Sequence, residues 1–187
     1  MLGILSAIVF VIGDIPYIRD TRAGKTKPQR VTWGIVLLLN AIAVANQYAS
    51  GGRNSVILPL TAVFVVGCIF LLSIKHGVGG HSKLDIAVLV TAGIGILAWL
   101  LFDDPHLSIL ANFIVAFAAL TPTFIKAWKY PETETKSAYL YGAVSTLLAA
   151  ISVGELNFWL LLLPLQACVM QAALVLILSR QRPPIIS

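Results

Sequence analysis

Residues 15–33 read IPYIRDTRAGKTKPQRVTW and gather Arg19, Asp20, Arg22, Lys25, Lys27 and Arg30 into one short stretch. Around it the chain of 187 residues is 58% hydrophobic and only 11% charged. Soluble domains carry about 25% charged residues, so this composition excludes an ordinary soluble fold. The stretch therefore reads as a polar loop between two membrane spans.

Working outward from the loop, apolar runs of roughly 20 residues, enough to cross a hydrocarbon core of about 30 Å, recur along the chain. They cover Leu2 to Ile18, Val31 to Ala49, Ser55 to Ile74, Leu84 to Phe102, Leu107 to Ile125, Ser137 to Val153 and Leu156 to Ser179. A backbone exposed to lipid must satisfy its own hydrogen bonds, and long runs without alternation are not barrel strands, so each span is expected to be a helix. The first run lacks a basic n-region and ends in Asp14 and Pro16, which fits a span better than a cleaved leader. Cys68 and Cys168 fall inside spans and read as packing residues without a disulfide or metal framework.

Of the 13 lysines and arginines, only Arg53 falls on the side opposite the quoted loop. Basic residues in short loops mark the cytoplasmic side, so the N-terminus is expected outside and the C-terminus in the cytoplasm, in a bacterial inner membrane. The net charge of +5 follows from this bias. The basic loop lacks interleaved aromatics, so anionic lipid is its expected partner and nucleic acid is not.

The chain also repeats. SAIVFVIGDIPYI (6–18) lies on NFIVAFAALTPTF (112–124) with Pro16 on Pro122, and the same register carries Trp33 onto Tyr139, Asn40 onto Thr146 and Asn46 onto Ser152. One residue shorter, LPLTA (58–62) meets LPLQA (163–167), which aligns Pro59 with Pro164 and Thr61 with Gln166. Three spans repeat and the fourth is left over. That odd span restores the orientation of the second copy, so the copies are parallel. The expected architecture is all-α and integral to the membrane: a first triple-helix bundle (1–75), a linker helix with flanking loops (76–106) and a second triple-helix bundle (107–187).

The 3+1+3 pattern, the outside N-terminus, the proline near the end of the first helix of each triplet and TPTFIKAWKYPETETKS (121–137) resemble the SWEET sugar transporters and related PQ-loop proteins. In this chain the two prolines are followed by Tyr17 and Thr123, and the sequence Pro28-Gln29 lies in the loop. The resemblance implies a carrier of a small polar metabolite working by alternating access, sugar-like or otherwise uncharged or zwitterionic. The same architecture also resembles vitamin carriers of the PnuC kind and receptors that use the fold without transport.

Intramembrane polar residues are the candidate solute contacts: Asn40 and Gln166 first, then Asn46, Gln47, Thr61, Asn112, Thr146, Ser152 and Gln171, with Trp159 and Trp33 as stacking surfaces. The competing reading is interhelical hydrogen bonding, at about 0.6 kcal/mol each. Trp33 and Tyr139 lie where interfacial aromatic anchors are ordinary. Asp14 is the one acid well inside a span, a candidate for proton coupling. It lies about 6 to 8 Å along the helix from Arg19, so an ion pair with Arg19 or Lys126 is the favoured reading. Pro16, Pro122, Pro59 and Pro164 are candidate hinges or static kinks. No enzyme is expected: His76, His81 and His106 lie on loops without metal-ligand spacing, no phosphate loop or nucleophile elbow is present, and the last span lacks a lysine for a retinal Schiff base. No cofactor or metal is implied.

Overall fold

A computed structural model describes residues 1–49, 56–80, 82–101 and 104–180. Arg53, His81 and Arg182 lie outside the described residues, as does the side chain of Asn46. The described chain forms seven α-helices: α1 (Leu2–Arg22), α2 (Arg30–Ala49), α3 (Ile57–His76), α4 (Lys83–Leu101), α5 (Pro105–Lys129), α6 (Lys136–Ser152) and α7 (Phe158–Leu178). A 3-10 turn at Pro131–Thr133 and an isolated bridge between Gln29 and Val78 complete the regular structure. His76 closes α3 and His106 opens α5, so these two histidines sit on helix ends rather than in loops.

Four helices are long and apolar enough to cross a membrane, namely α1, α3, α5 from His106 and α7. The 17 residues of α6 reach only about 25 Å. The pattern on α1 shows what its surroundings must be. Its buried face carries Ser6, Asp14, Tyr17 and Thr21 with small residues between them, while Ile4, Ile8, Ile12 and Ile15 are each about half exposed. In water that arrangement would be inside out. In lipid it places apolar side chains against acyl chains and polar ones where protein can satisfy them.

Packing follows a reciprocal scheme. Within the first three helices, α3 packs on both α1 and α2; within the last three, α7 packs on both α5 and α6. The two sets meet through α1 against α6 and α2 against α5, and α4 lies along α5 with a lighter contact to α2. The α1–α6 approach is close because Gly13 faces Tyr141, where even a methyl group would collide with the tyrosine Cβ.

The loops that carry the lysines and arginines converge at one end of the bundle. Arg30 reaches across to the end of α3, donating to the carbonyls of Ser73 (3.1 Å), Gly77 (3.2 Å) and Gly79 (2.9 Å). A guanidinium there satisfies orphan carbonyls and sits at the negative end of the helix dipole. Ser82 and Asp85 form a capping box at the start of α4, and Gln29 Nε2 donates to Asp85 Oδ1 at 2.8 Å. Pro28-Gln29 thus ties the first loop to the third. The backbone N–H of Lys27 donates to the Thr133 carbonyl at 3.1 Å, joining the first loop to the fifth.

Candidate functional site

A cavity of about 230 Å³ lies between the helices, with walls drawn from all of them except α4. A single water needs only about 10 to 15 Å³ on this scale, so the space suits a small organic molecule. It runs from Trp33, Thr123 and Tyr139 near the basic loops to Gln47, Val153 and Leu160 towards the opposite helix ends.

Six of the candidate polar contacts line it beside Trp33: Asn40, Gln47, Asn112, Thr146, Gln166 and Gln171. Asn40 and Thr146, matched by the internal repeat, face the same space from α2 and α6. Asn40 Nδ2 donates to Val36 O (2.8 Å) within its own helix. Asn112 Nδ2 and Gln166 Nε2 cross between helices, to Leu39 O (3.3 Å) and Phe113 O (2.7 Å). Thr146 bonds the Gly142 carbonyl at 2.9 Å. Gln171 stands against Gly142, on which any Cβ would meet its side-chain oxygen.

The remaining candidates with described side chains lie elsewhere. Thr61 is turned to its own helix, donating to Ile57 O at 2.8 Å. Ser152 does the same towards Ala149 O at 2.7 Å. Trp159 stacks on His106 at 4.2 Å between ring centroids, joining the starts of α7 and α5 outside the cavity wall. Pro59 and Pro164 line the cavity, whereas Pro16 and Pro122 do not. Pro59 occupies the first turn of α3, where a helix has no backbone hydrogen bond to lose. Pro16, Pro122 and Pro164 are interior to their helices.

Asp14 departs from the expected ion pair. It is 4% exposed, faces the cavity and has no hydrogen-bond partner at Oδ2. Arg19 lies instead beside Asp20 at 3.7 Å, and Lys126 is taken by Glu134 at 2.6 Å. Trp33 and Tyr139 depart from the anchoring role, because both turn inward and line the cavity.

Those two aromatic rings belong to a buried cluster that fills the basic end of the bundle. Tyr17, fully buried, packs against Trp33 with ring centroids 5.0 Å apart and meets Tyr139 edge-on at 6.3 Å. Trp33 Nε1 donates to the Tyr17 hydroxyl (3.1 Å), and the hydroxyls of Tyr17 (3.3 Å) and Tyr139 (2.8 Å) both donate to Glu134 Oε2. The Lys126 ammonium pairs with Glu134 Oε1 and also bonds the Lys27 carbonyl. Burial pushes the Glu134 carboxyl above the ordinary carboxylate range, and Lys126 with the two tyrosines pulls it back only in part. Beside the cluster, the hydroxyls of Thr26 and Thr135 are 2.5 Å apart, and Thr135 donates to Asp20 at 3.2 Å.

Among the described residues no group of histidines, cysteines or acids has metal-binding geometry. Compared with protein-family models, with characterised proteins and with solved structures, the chain finds no match in any of the three.

Proposed function

We propose that the chain is a membrane carrier that moves a small polar metabolite by alternating access. In this reading all seven helices sit in the membrane as two parallel triple-helix bundles, α1–α3 and α5–α7, with α4 as the linker. The reciprocal contacts α1–α6 and α2–α5, together with the matching place of α3 and α7, support that arrangement. The basic loops gathered at one end support an outside N-terminus and a cytoplasmic C-terminus.

The observation that carries the functional reading is the cavity between the two helix sets, lined with amides and hydroxyls and bounded at its basic end by the Tyr17–Trp33–Tyr139–Glu134 cluster. A carrier needs a central site and an end that closes over it, and rocking of one bundle against the other would open this end while closing the opposite one. Pro16 and Pro122 each lie within about two turns of the cluster's end of the helix, where a bend would move it. Uptake of a radiolabelled metabolite panel into proteoliposomes tests the reading. Saturable, protein-dependent flux of at least one solute is expected. Binding without flux would make the protein a receptor, and a vitamin as the sole transported solute would favour the vitamin-carrier alternative.

A further inference from the structure

The polar wall of the cavity carries acceptors that no protein donor meets. Asn40, Asn112 and Gln166 each give one amide N–H to a backbone carbonyl, which leaves the amide oxygen and the second N–H of each for a solute. A flipped amide would set oxygen against oxygen, so the partners fix the orientation. Thr32 and Thr146 likewise donate their protons to the carbonyls of Ala119 and Gly142, and Thr123 donates to Thr32. Gln47 Oε1 and Asp14 Oδ2 are buried and meet no donor among the described residues. What the wall offers a solute is therefore a carboxylate beside a set of amide and hydroxyl oxygens that can accept.

Among the described residues, no lysine, arginine or histidine lines the cavity. A buried carboxylate without a cation is costly, and a ligand that brings a positive charge removes the cost. Phe10, Trp33 and Tyr139 contribute aromatic rings to the same wall, and the faces of such rings attract cations. The apolar remainder of the wall is alanine, valine, leucine, proline and methionine, which suits hydrocarbon and leaves a bare metal ion poorly solvated.

We propose that the solute is a small organic ammonium compound, with its N–H head against Asp14 and its hydrocarbon along the apolar wall. This rests on the carrier reading and narrows it from a polar metabolite to a protonated amine. An N–H head supplies the donors that the amide oxygens and the carboxylate lack, and it does so without any covalent step.

The test compares two ligands of the same size on the purified full chain in detergent: phenethylammonium and 2-phenylethanol, in which a hydroxyl replaces the ammonium. Calorimetric titration at pH 7 should give at least tenfold tighter binding of the ammonium compound. Asp14→Asn should abolish that preference and Asp14→Glu should keep it. Equal affinity for both ligands, no binding of phenethylammonium, a preference that survives in Asp14→Asn, or saturation by sodium chloride alone would each overturn the proposal. The wild-type comparison decides even where a variant fails to fold. Proteoliposome flux separates the two levels of the argument: ammonium binding without flux defeats the carrier reading and leaves this site standing, whereas flux of a neutral solute unaffected by phenethylammonium defeats this site and leaves the carrier standing.

Discussion

Removing the Glu134 carboxylate should destabilise the protein more than any surface charge could. The Glu134 side chain is fully buried and that of Lys126 is 10% exposed, so solvent screens their 2.6 Å ion pair very little. Glu134→Ala leaves the Lys126 ammonium buried with a single carbonyl partner and strips the Tyr139 and Tyr17 hydroxyls of their acceptor. Breaking a buried pair from one side costs about 3 to 5 kcal/mol, against about 0.2 to 1 kcal/mol for an exposed pair. The double variant Lys126→Met with Glu134→Gln removes the stranded charge and keeps an acceptor for the tyrosines. It should therefore lie within about 2 kcal/mol of the wild type. Chemical unfolding in detergent at pH 7, followed by circular dichroism, measures all three. A loss below about 1 kcal/mol in Glu134→Ala, or a double variant as unstable as the single one, would refute the reasoning.

The same carboxyl should give the protein a pH dependence. Its folded pKa is raised by burial, so the stabilisation from its proton is fully present below the ordinary value of 4.5 and is lost as pH rises through the folded value. Wild type should gain stability over Glu134→Gln as pH is lowered from neutral, and an opposite slope would reject the assignment. Asn40→Ala should weaken solute binding by roughly 1 to 3 kcal/mol with little change in stability, because its bond stays within α2. Gln166→Ala should lower both, since its bond joins α7 to α5, and titration beside unfolding distinguishes the two patterns. Gly13→Ala should cost about 1 to 3 kcal/mol by forcing α1 from α6, while Gly93→Ala, with open space around it, should cost nothing measurable in the same unfolding assay. Cysteines at Lys25 and Glu132 should be shielded from an impermeant external thiol reagent in intact cells and one at Glu155 should label, in a background lacking Cys68 and Cys168. Labelling at Lys25 would reverse the orientation.

Helix positions were legible because long apolar runs without alternation form helices; the seven apolar runs and the seven described helices agree to within a few residues at each end. The internal repeat pointed to Asn40 and Thr146, and both line the cavity. It failed for Thr61 and Gln166: a glutamine reaches a neighbouring helix, whereas a threonine is short enough to bond its own carbonyl four residues back. Sequence distance misled on Asp14. Five residues place Arg19 about 140° around the helix from it, so nearness along the axis does not bring the charges together, while Tyr17 shares the face of Asp14. Glu134 gave no signal in the sequence, where it is one charge among several in a polar loop. Its burial comes from the tertiary meeting of α1, α2, α5 and α6.

Closure at the basic end is the central claim, and a reversible lock tests it. Thr26 and Thr135 touch across the first and fifth loops, so a cysteine at each position, in a background lacking Cys68 and Cys168, can be joined by oxidation. In proteoliposomes the oxidised protein should bind solute yet carry none, and a reductant should restore flux to the level of the unlocked protein. Undiminished flux through the oxidised protein would contradict the account, because the end that must open would have been held shut.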